Sequence, residues 1–260
     1  MAPWVMHQRW TNLLFAHWPV APDALRSLLP PSLTLDTFDG DAWVGVIPFH
    51  MSNVRPRGVP AMPWLSSFHE LNVRTYVRVG TRAGVWFFSL DASNPIAVRA
   101  ARAAVHLPYY DARMDMKAAS DGSVGYHSAR THPGAPPAVF DATYRPEGQV
   151  YRAAPGTLDH FLVERYELFA MSRRGLLHVK IAHPPWPLQP ASAHIERNTM
   201  GAAAGIALTG GPTHLHFAAR VDVRTWLPGS VGTAEGGCGN SKFRIQTPTW
   251  NGPCAGSLEF

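Results

Sequence analysis

Between Phe68 and Val79 the sequence FHELNVRTYVRV alternates almost perfectly. Successive strand residues face opposite ways. One face therefore carries His69, Leu71, Val73, Thr75, Val77 and Val79, and the other Phe68, Glu70, Asn72, Arg74, Tyr76 and Arg78. Four consecutive positions of the second face, Glu70 to Tyr76, supply an acid, an amide, a guanidinium and a phenol. Turned to water, they form an ordinary surface ladder. Turned into an enclosed interior, they must pair or bind a ligand, because buried polar groups need partners. The pattern alone leaves both orientations open. In the enclosed case Glu70 is the group for acid–base work and Arg74 suits a carboxylate. The opposite charge of Arg74 would lower the Glu70 pKa and burial would raise it, so the sign stays open.

Other chemistries find less support. His214 and His216 share one strand face, a spacing that suits zinc or iron, with His178, His183 or His194 available as a third ligand. Isolated strand histidines are more often surface or hydrogen-bonded core residues, and no metal is expected. No G-x-S-x-G elbow occurs, and the two cysteines, Cys238 and Cys254, fall outside the strand-rich region and form no C-x-x-C pair. No P-loop or G-x-G-x-x-G follows a strand, so no nucleotide cofactor is expected. Only Lys117, Lys180 and Lys242 carry amines. Lys117 lies in an alternating-charge row with Asp111, Arg113 and Asp115, the signature of a solvated face. Lys180 shares a face with His178 and is the one candidate for an inward amine. The aromatics Trp43, Trp86, Phe88, Tyr109 and Tyr110 line a cavity or simply pack. As strand neighbours, at most one of Tyr109 and Tyr110 can share a cavity with Glu70.

The elements that must position these groups are mostly strands. Runs at 42–49, 68–79, 85–90, 110–116, 124–130, 139–144, 164–171, 176–182, 191–196 and 213–226 read as strands, with a hairpin turn at 80–84. Helices are expected at Pro22–Leu29, Pro95–His106 and Leu158–Val163. Ser93 or Asn94 caps the second, which would pack through Ile96, Ala100 and Ala103. The length of 260 residues permits a single large β domain. Charged residues make up 16% against roughly 25% in an average chain, and 46% are hydrophobic, which excludes a largely disordered protein. The domain is read as residues 1–227, followed by an irregular Gly-rich stretch at 228–260 with both cysteines. The net charge of +5 is carried by scattered arginines without a basic run, which argues against nucleic acid. The stretch from Gly201 to Gly211 is far short of the ~20 apolar residues of a membrane helix. No secretory signal pattern opens the chain, so a cytoplasmic location away from membranes is the expectation.

Several segments carry a resemblance. FAHWPVAPDALRSLLPPSLTLDTFDGDAWVGVIPFHMSNVR, FHELNVRTYV, GVWFFSLDA and ARAAVHLPYYDARM resemble the bacterial YqjF-like family of uncharacterised proteins, which belongs with the acetoacetate decarboxylase-like barrels. The resemblance spans about residues 4–227. It implies a mainly β fold, an antiparallel barrel or cone with a few helices outside and a cavity within. Glu70 falls where the decarboxylase has a pocket glutamate. The decarboxylase's catalytic lysine pair falls on Tyr109 and Tyr110, which cannot form an imine. Its pocket arginine has no match at Trp18-Pro19-Val20. The superfamily enzyme's oligomeric state implies self-association.

The expected function is therefore binding of a small organic carboxylate or carbonyl ligand in an internal pocket, without Schiff-base chemistry. Glu70 would be general acid or base, and Asn72, Arg74, Tyr76, Tyr109 and Tyr110 would form the ligand site. The alternatives are a non-catalytic sensor or structural protein with a packed interior, and a lyase using Lys180.

Overall fold

The computed structural model describes residues 2–231. Lys242, both cysteines and the remainder of the Gly-rich stretch lie outside the described residues. The elements run β1 (Met6–Val20), α1 (Pro22–Arg26), β2 (Thr34–Leu35), β3 (Ala42–Pro56), β4 (Phe68–Val79), β5 (Arg82–Ala92), α2 (Pro95–Val105), β6 (Tyr109–Ala118), β7 (Val124–Arg130) and β8 (Val139–Pro146). They continue through α3 (Leu158–Val163), β9 (Glu167–Ser172), β10 (Gly175–Ala182), β11 (Leu188–Asn198), α4 (Met200–Ala203), β12 (His214–Thr225) and β13 (Gly229–Ser230). The expected strand pattern is present, with three additions, of which β2 is a two-residue strand on β4. β1 is among the longest strands and was not anticipated, because its sequence alternates poorly. β13 carries the sheet past residue 227 by pairing with β10, so the start of the Gly-rich stretch is ordered into the barrel.

Hydrogen-bonded neighbours trace two closed circuits that share the wall β12–β1–β3–β4–β5. From β5 the larger passes through β6, β7, β8 and β11 back to β12, a barrel of 9 strands. The smaller leaves β5 through β9 and β10 and closes on β12. The pairing is antiparallel apart from β5–β6 and β5–β9, which are parallel. A parallel neighbour needs a crossover connection, and α2 provides it between β5 and β6.

The shared wall explains the burial. Leu71 and Val73 of β4 join Leu14, Ala16, Val44, Val46 and Phe217 in the core of the large ring. Phe68 and Tyr76, on the opposite face, join Leu13, Phe15, Ile47 and Phe49 on the side of the small ring. No residue of β4 from Phe68 to Val77 is exposed. Bulges tune which residues face which hollow. Asn12 and Asn53 both adopt left-handed backbone, at φ 52°, beside register shifts in the β1–β3 pairing. A one-residue bulge reverses side-chain parity. Trp10 and Leu13 therefore meet the same cavity although they are three residues apart.

α2 is capped by Asn94, whose Oδ1 accepts from the amides of Ile96 and Ala97 at 3.0 and 3.1 Å. Its packed face differs from the expected one. Val98 is fully buried, with Ala97, Ala101 and Val105 partly so, whereas Ile96 is 51% exposed. The Ile96–Ala100 edge thus lies at a rim instead of against the sheet.

Closure of the small ring depends on a close approach at Gly84. A Cβ there would stand 2.6 Å from the Glu167 carbonyl oxygen and 2.8 Å from the Phe169 ring. Gly84→Ala should therefore destabilise the protein by about 1–3 kcal/mol through overpacking. Urea unfolding measures this, and unchanged stability would contradict so tight a β5–β9 contact.

Candidate functional site

The small ring encloses a cavity of about 450 Å³. Its wall is mostly apolar: Trp10, Leu13, Phe15, Ile47, Phe49, Phe87 and Trp186 are among the lining residues. The polar row of β4 enters it. Glu70, Asn72 and Arg74 all line the cavity and are 4%, 5% and 8% exposed. The enclosed orientation of the strand is the one the fold adopts.

Glu70 lies across from Ala92, near where β5 leads into α2. The Tyr109 hydroxyl donates to Glu70 Oε2 at 2.9 Å. Burial pushes the Glu70 carboxyl up to about 8. The hydrogen bonds from Tyr109 and Asn72 pull the other way and the charge of Asp91 adds to the rise, but desolvation dominates. Arg74 is not among the groups that act on it. Tyr109 is itself raised well above the usual phenol range by burial and by Glu70. At neutral pH the pair holds a neutral acid and a neutral phenol.

Arg74 lies four residues further along the strand, about 13 Å at strand rise. One guanidinium nitrogen donates to the Leu162 carbonyl at 3.0 Å, and the guanidinium lies 5.8 Å from the Phe15 ring centroid. Its Nε is buried without a hydrogen-bond partner, as is Oδ1 of Asn72. Glu70 and Arg74 do not form an ion pair, so their charges are not spent on one another.

Two expected ligand residues fall elsewhere. Tyr76 shares the strand face but is fully buried beyond the cavity. Its hydroxyl donates to the Leu162 carbonyl at 2.7 Å and meets His17 Nε2 at 2.7 Å. That hydroxyl is consumed in the floor of the hollow. Tyr110 faces away from Tyr109, as strand parity requires. It covers Arg130 at 4.2 Å, and Arg130 in turn forms a buried bidentate pair with Asp91, closest at 2.7 Å.

The remaining candidates also lie outside the cavity. Lys180 is exposed, with its amine 5.2 Å over the Trp226 ring. Lys117 is exposed and pairs with Asp115 at 3.3 Å. Among the described residues no lysine lines the hollow. His216 meets Asp159 at 3.1 Å and His214 packs edge-on against Trp43. Among the described residues no three His, Cys, Asp or Glu side chains gather as a metal site. Trp43, Trp86 and Phe88 are packing residues. No helix of the described residues is long and apolar enough to cross a membrane.

Sequence reasoning missed Arg165 and offered His183 only as a possible third metal ligand; both line the cavity from the α3 side. Arg165 is held by Asp36 at 2.7 Å, and His183 stacks on Tyr166 at 4.7 Å. Burial lowers the His183 pKa, which favours a neutral imidazole. Neither sits in an alternating segment, so no local pattern placed them on the cavity wall.

Comparison with known proteins agrees with this architecture. Residues 7–222 match DUF2071, a family described as an uncharacterized conserved protein. The chain belongs to the DUF2071 family. It is 43% identical over 224 residues to the uncharacterized protein YqjF of Bacillus subtilis (strain 168), covering 86% of this chain and 91% of YqjF. Among solved structures it is similar to an acetoacetate decarboxylase-like enzyme from Sphingomonas wittichii RW1. The TM-score is 0.60 at 14% identity, over 87% of this chain and 93% of that one. It is also similar to the enduracididine biosynthesis enzyme MppR complexed with pyruvate. There the TM-score is 0.56 at 11% identity, over 88% and 90% of the chains. This DUF2071 chain therefore has the acetoacetate decarboxylase-like fold, as the sequence resemblance implied.

The raised Glu70 pKa makes a stability prediction. In the fold Glu70 keeps its proton to about pH 8, while its ordinary value is 4.5. Between these values the unfolded chain binds fewer protons, so stability falls as pH rises and levels off above 8. Glu70→Gln removes that slope. Its stability advantage over wild type should widen between pH 5 and 8.5 by on the order of a few kcal/mol. Parallel pH curves in chemical denaturation would show that Glu70 is not buried in this way.

Proposed function

We propose that the hollow of this DUF2071 protein binds a small organic carboxylate carrying a carbonyl or hydroxyl group, without an imine-forming lysine. One observation carries the reading. A buried acid and a buried guanidinium stand on the same strand face, in the wall of one cavity, unpaired with each other. A guanidinium with an open Nε recognises a carboxylate. A carboxylic acid kept neutral by its apolar surroundings donates a hydrogen bond to an oxygen of the ligand. If the bound compound reacts, Glu70 is the proton donor or acceptor, and Tyr109 polarises the same oxygen.

The MppR structure, complexed with pyruvate, supports a keto acid as the kind of molecule this fold accepts. The cavity volume lies in the range of small-molecule sites, about 300–1,000 Å³. A packed structural interior would leave no such space. Lys180 would have to abandon Trp226 and cross the wall to act as an amine, so the lyase reading with Lys180 is not retained.

Isothermal titration with a panel of keto and hydroxy acids tests the proposal. Wild type should bind at least one of them. Arg74→Met should weaken that binding by about 10- to 100-fold, the worth of a charge-assisted hydrogen bond. Glu70→Gln should abolish any turnover. Equal affinity in all three proteins would overturn the assignment, and so would a borohydride-trapped adduct on a lysine.

A further inference from the structure

The hollow is larger and more apolar than a short keto acid needs. A share of about 30 Å³ per water-sized group gives room for roughly fifteen non-hydrogen atoms. On the same measure a three- or four-carbon keto acid fills about half of it or less. Arg165 and His183 border the hollow on the side of Arg74, and Gln8 and Arg55 border it near the segment after β12. Arg74 sits at the floor, beside Leu162, which is 0% exposed, and Phe15, which is 1% exposed. The opposite end reaches α2 and the segment after β12. There Ile96 is 51% exposed and Leu227 is 72% exposed, and both line the cavity. Between floor and rim the α2 wall offers Ala97, Ala100, Ala101 and Ala104. These small side chains leave the outer half of the hollow open and give it an apolar surface.

We infer that the natural ligand is a monocarboxylic acid with an extended apolar body of about eight to twelve carbons. It enters head first, with its carboxylate at Arg74 and its tail under the alanine face of α2. The inference rests on the proposed reading of the cavity and names the ligand's class and orientation. Two unpartnered buried atoms mark the head end: Nε of Arg74 takes a carboxylate oxygen, and Oδ1 of Asn72 takes a hydroxyl proton from a substituent on the chain. Glu70 and Tyr109 then lie partway along the ligand and not at its carboxylate. The apolar tail gains by leaving water, which a compact acid cannot do to the same extent.

Titration with butanoate, hexanoate, octanoate and decanoate tests the inference on the full chain, read by calorimetry and by fluorescence of Trp10 and Trp186. Affinity should rise roughly three- to fourfold per methylene up to the length of the cavity. Ala100→Phe and Ala104→Phe narrow the outer hollow at exposed helix positions, where folding is checked by circular dichroism. They should weaken decanoate at least tenfold and leave butanoate and pyruvate unchanged. Tight pyruvate binding with a flat or falling chain-length series would overturn the inference and leave the proposed function standing. Binding by no acid of any length would overturn both. Decanoate binding that is indifferent to Arg74→Met would overturn the head-first orientation.

Discussion

The site depends on a strand that has no face to water. β4 belongs to the wall common to both rings, so each of its faces is sealed by a separate body of side chains. The odd-numbered face is mostly hydrocarbon, and its one fully buried polar group, the Thr75 hydroxyl, donates to the Trp43 carbonyl at 2.8 Å. The even-numbered face carries four polar groups that cannot escape to solvent. A fold that places them there must satisfy them or hold them ready for something else. Tyr76 is satisfied by the Leu162 carbonyl and His17. Glu70, Asn72 and Arg74 are only partly satisfied, and those three border the empty space.

The electrostatic consequence differs along the strand. Asp91 is buried as deeply as Glu70, and it is matched by the bidentate guanidinium of Arg130. Paired with a cation, it has a partner that stabilises its charge even though desolvation still raises its pKa. Glu70 has only a phenol and an amide, and both give less than a guanidinium would. Desolvation therefore prevails and the carboxyl holds its proton. Four residues of strand separate it from Arg74, too far for direct pairing. The same spacing that leaves Glu70 without a cation leaves the Arg74 Nε without a partner, so one strand presents a neutral acid and a guanidinium at different depths.

Much of this was legible in the sequence. The alternation of FHELNVRTYVRV placed Glu70, Asn72 and Arg74 on one face, and parity limited the tyrosines to one cavity partner. The cap at Asn94 and the strand spacing were equally local signals. Which way the polar face turned was not local, because it depends on β1 and β9 closing around it. β1 itself was hidden, since the bulge at Asn12 breaks its alternation and puts Trp10 and Leu13 on one side. Tyr76 had the right parity but the wrong depth, and depth along a barrel is not encoded in a period of two. Arg165 and His183 reach the cavity from segments flanking α3 and β10, positions fixed only by the closure of the small ring.

The position of Tyr109 ties the resemblance to the physics. The resemblance puts a lysine of the decarboxylase there, and this chain has a phenol that donates to Glu70 at 2.9 Å. An amine beside Glu70 would bring a positive charge and pull the carboxyl down toward its ionised form. A phenol brings no charge and loses its proton only with difficulty in this setting. On the proposed reading, a phenol in place of an amine would do more than remove a nucleophile. It would leave a neutral hydrogen-bonding corner where an ammonium would leave a charged one. The burial of Glu70 then has the opposite effect on its chemistry, making it an acid at neutral pH where a neighbouring ammonium would have made it a carboxylate. On the proposed reading, this is why the same barrel can keep a carboxylate-binding hollow while giving up covalent catalysis.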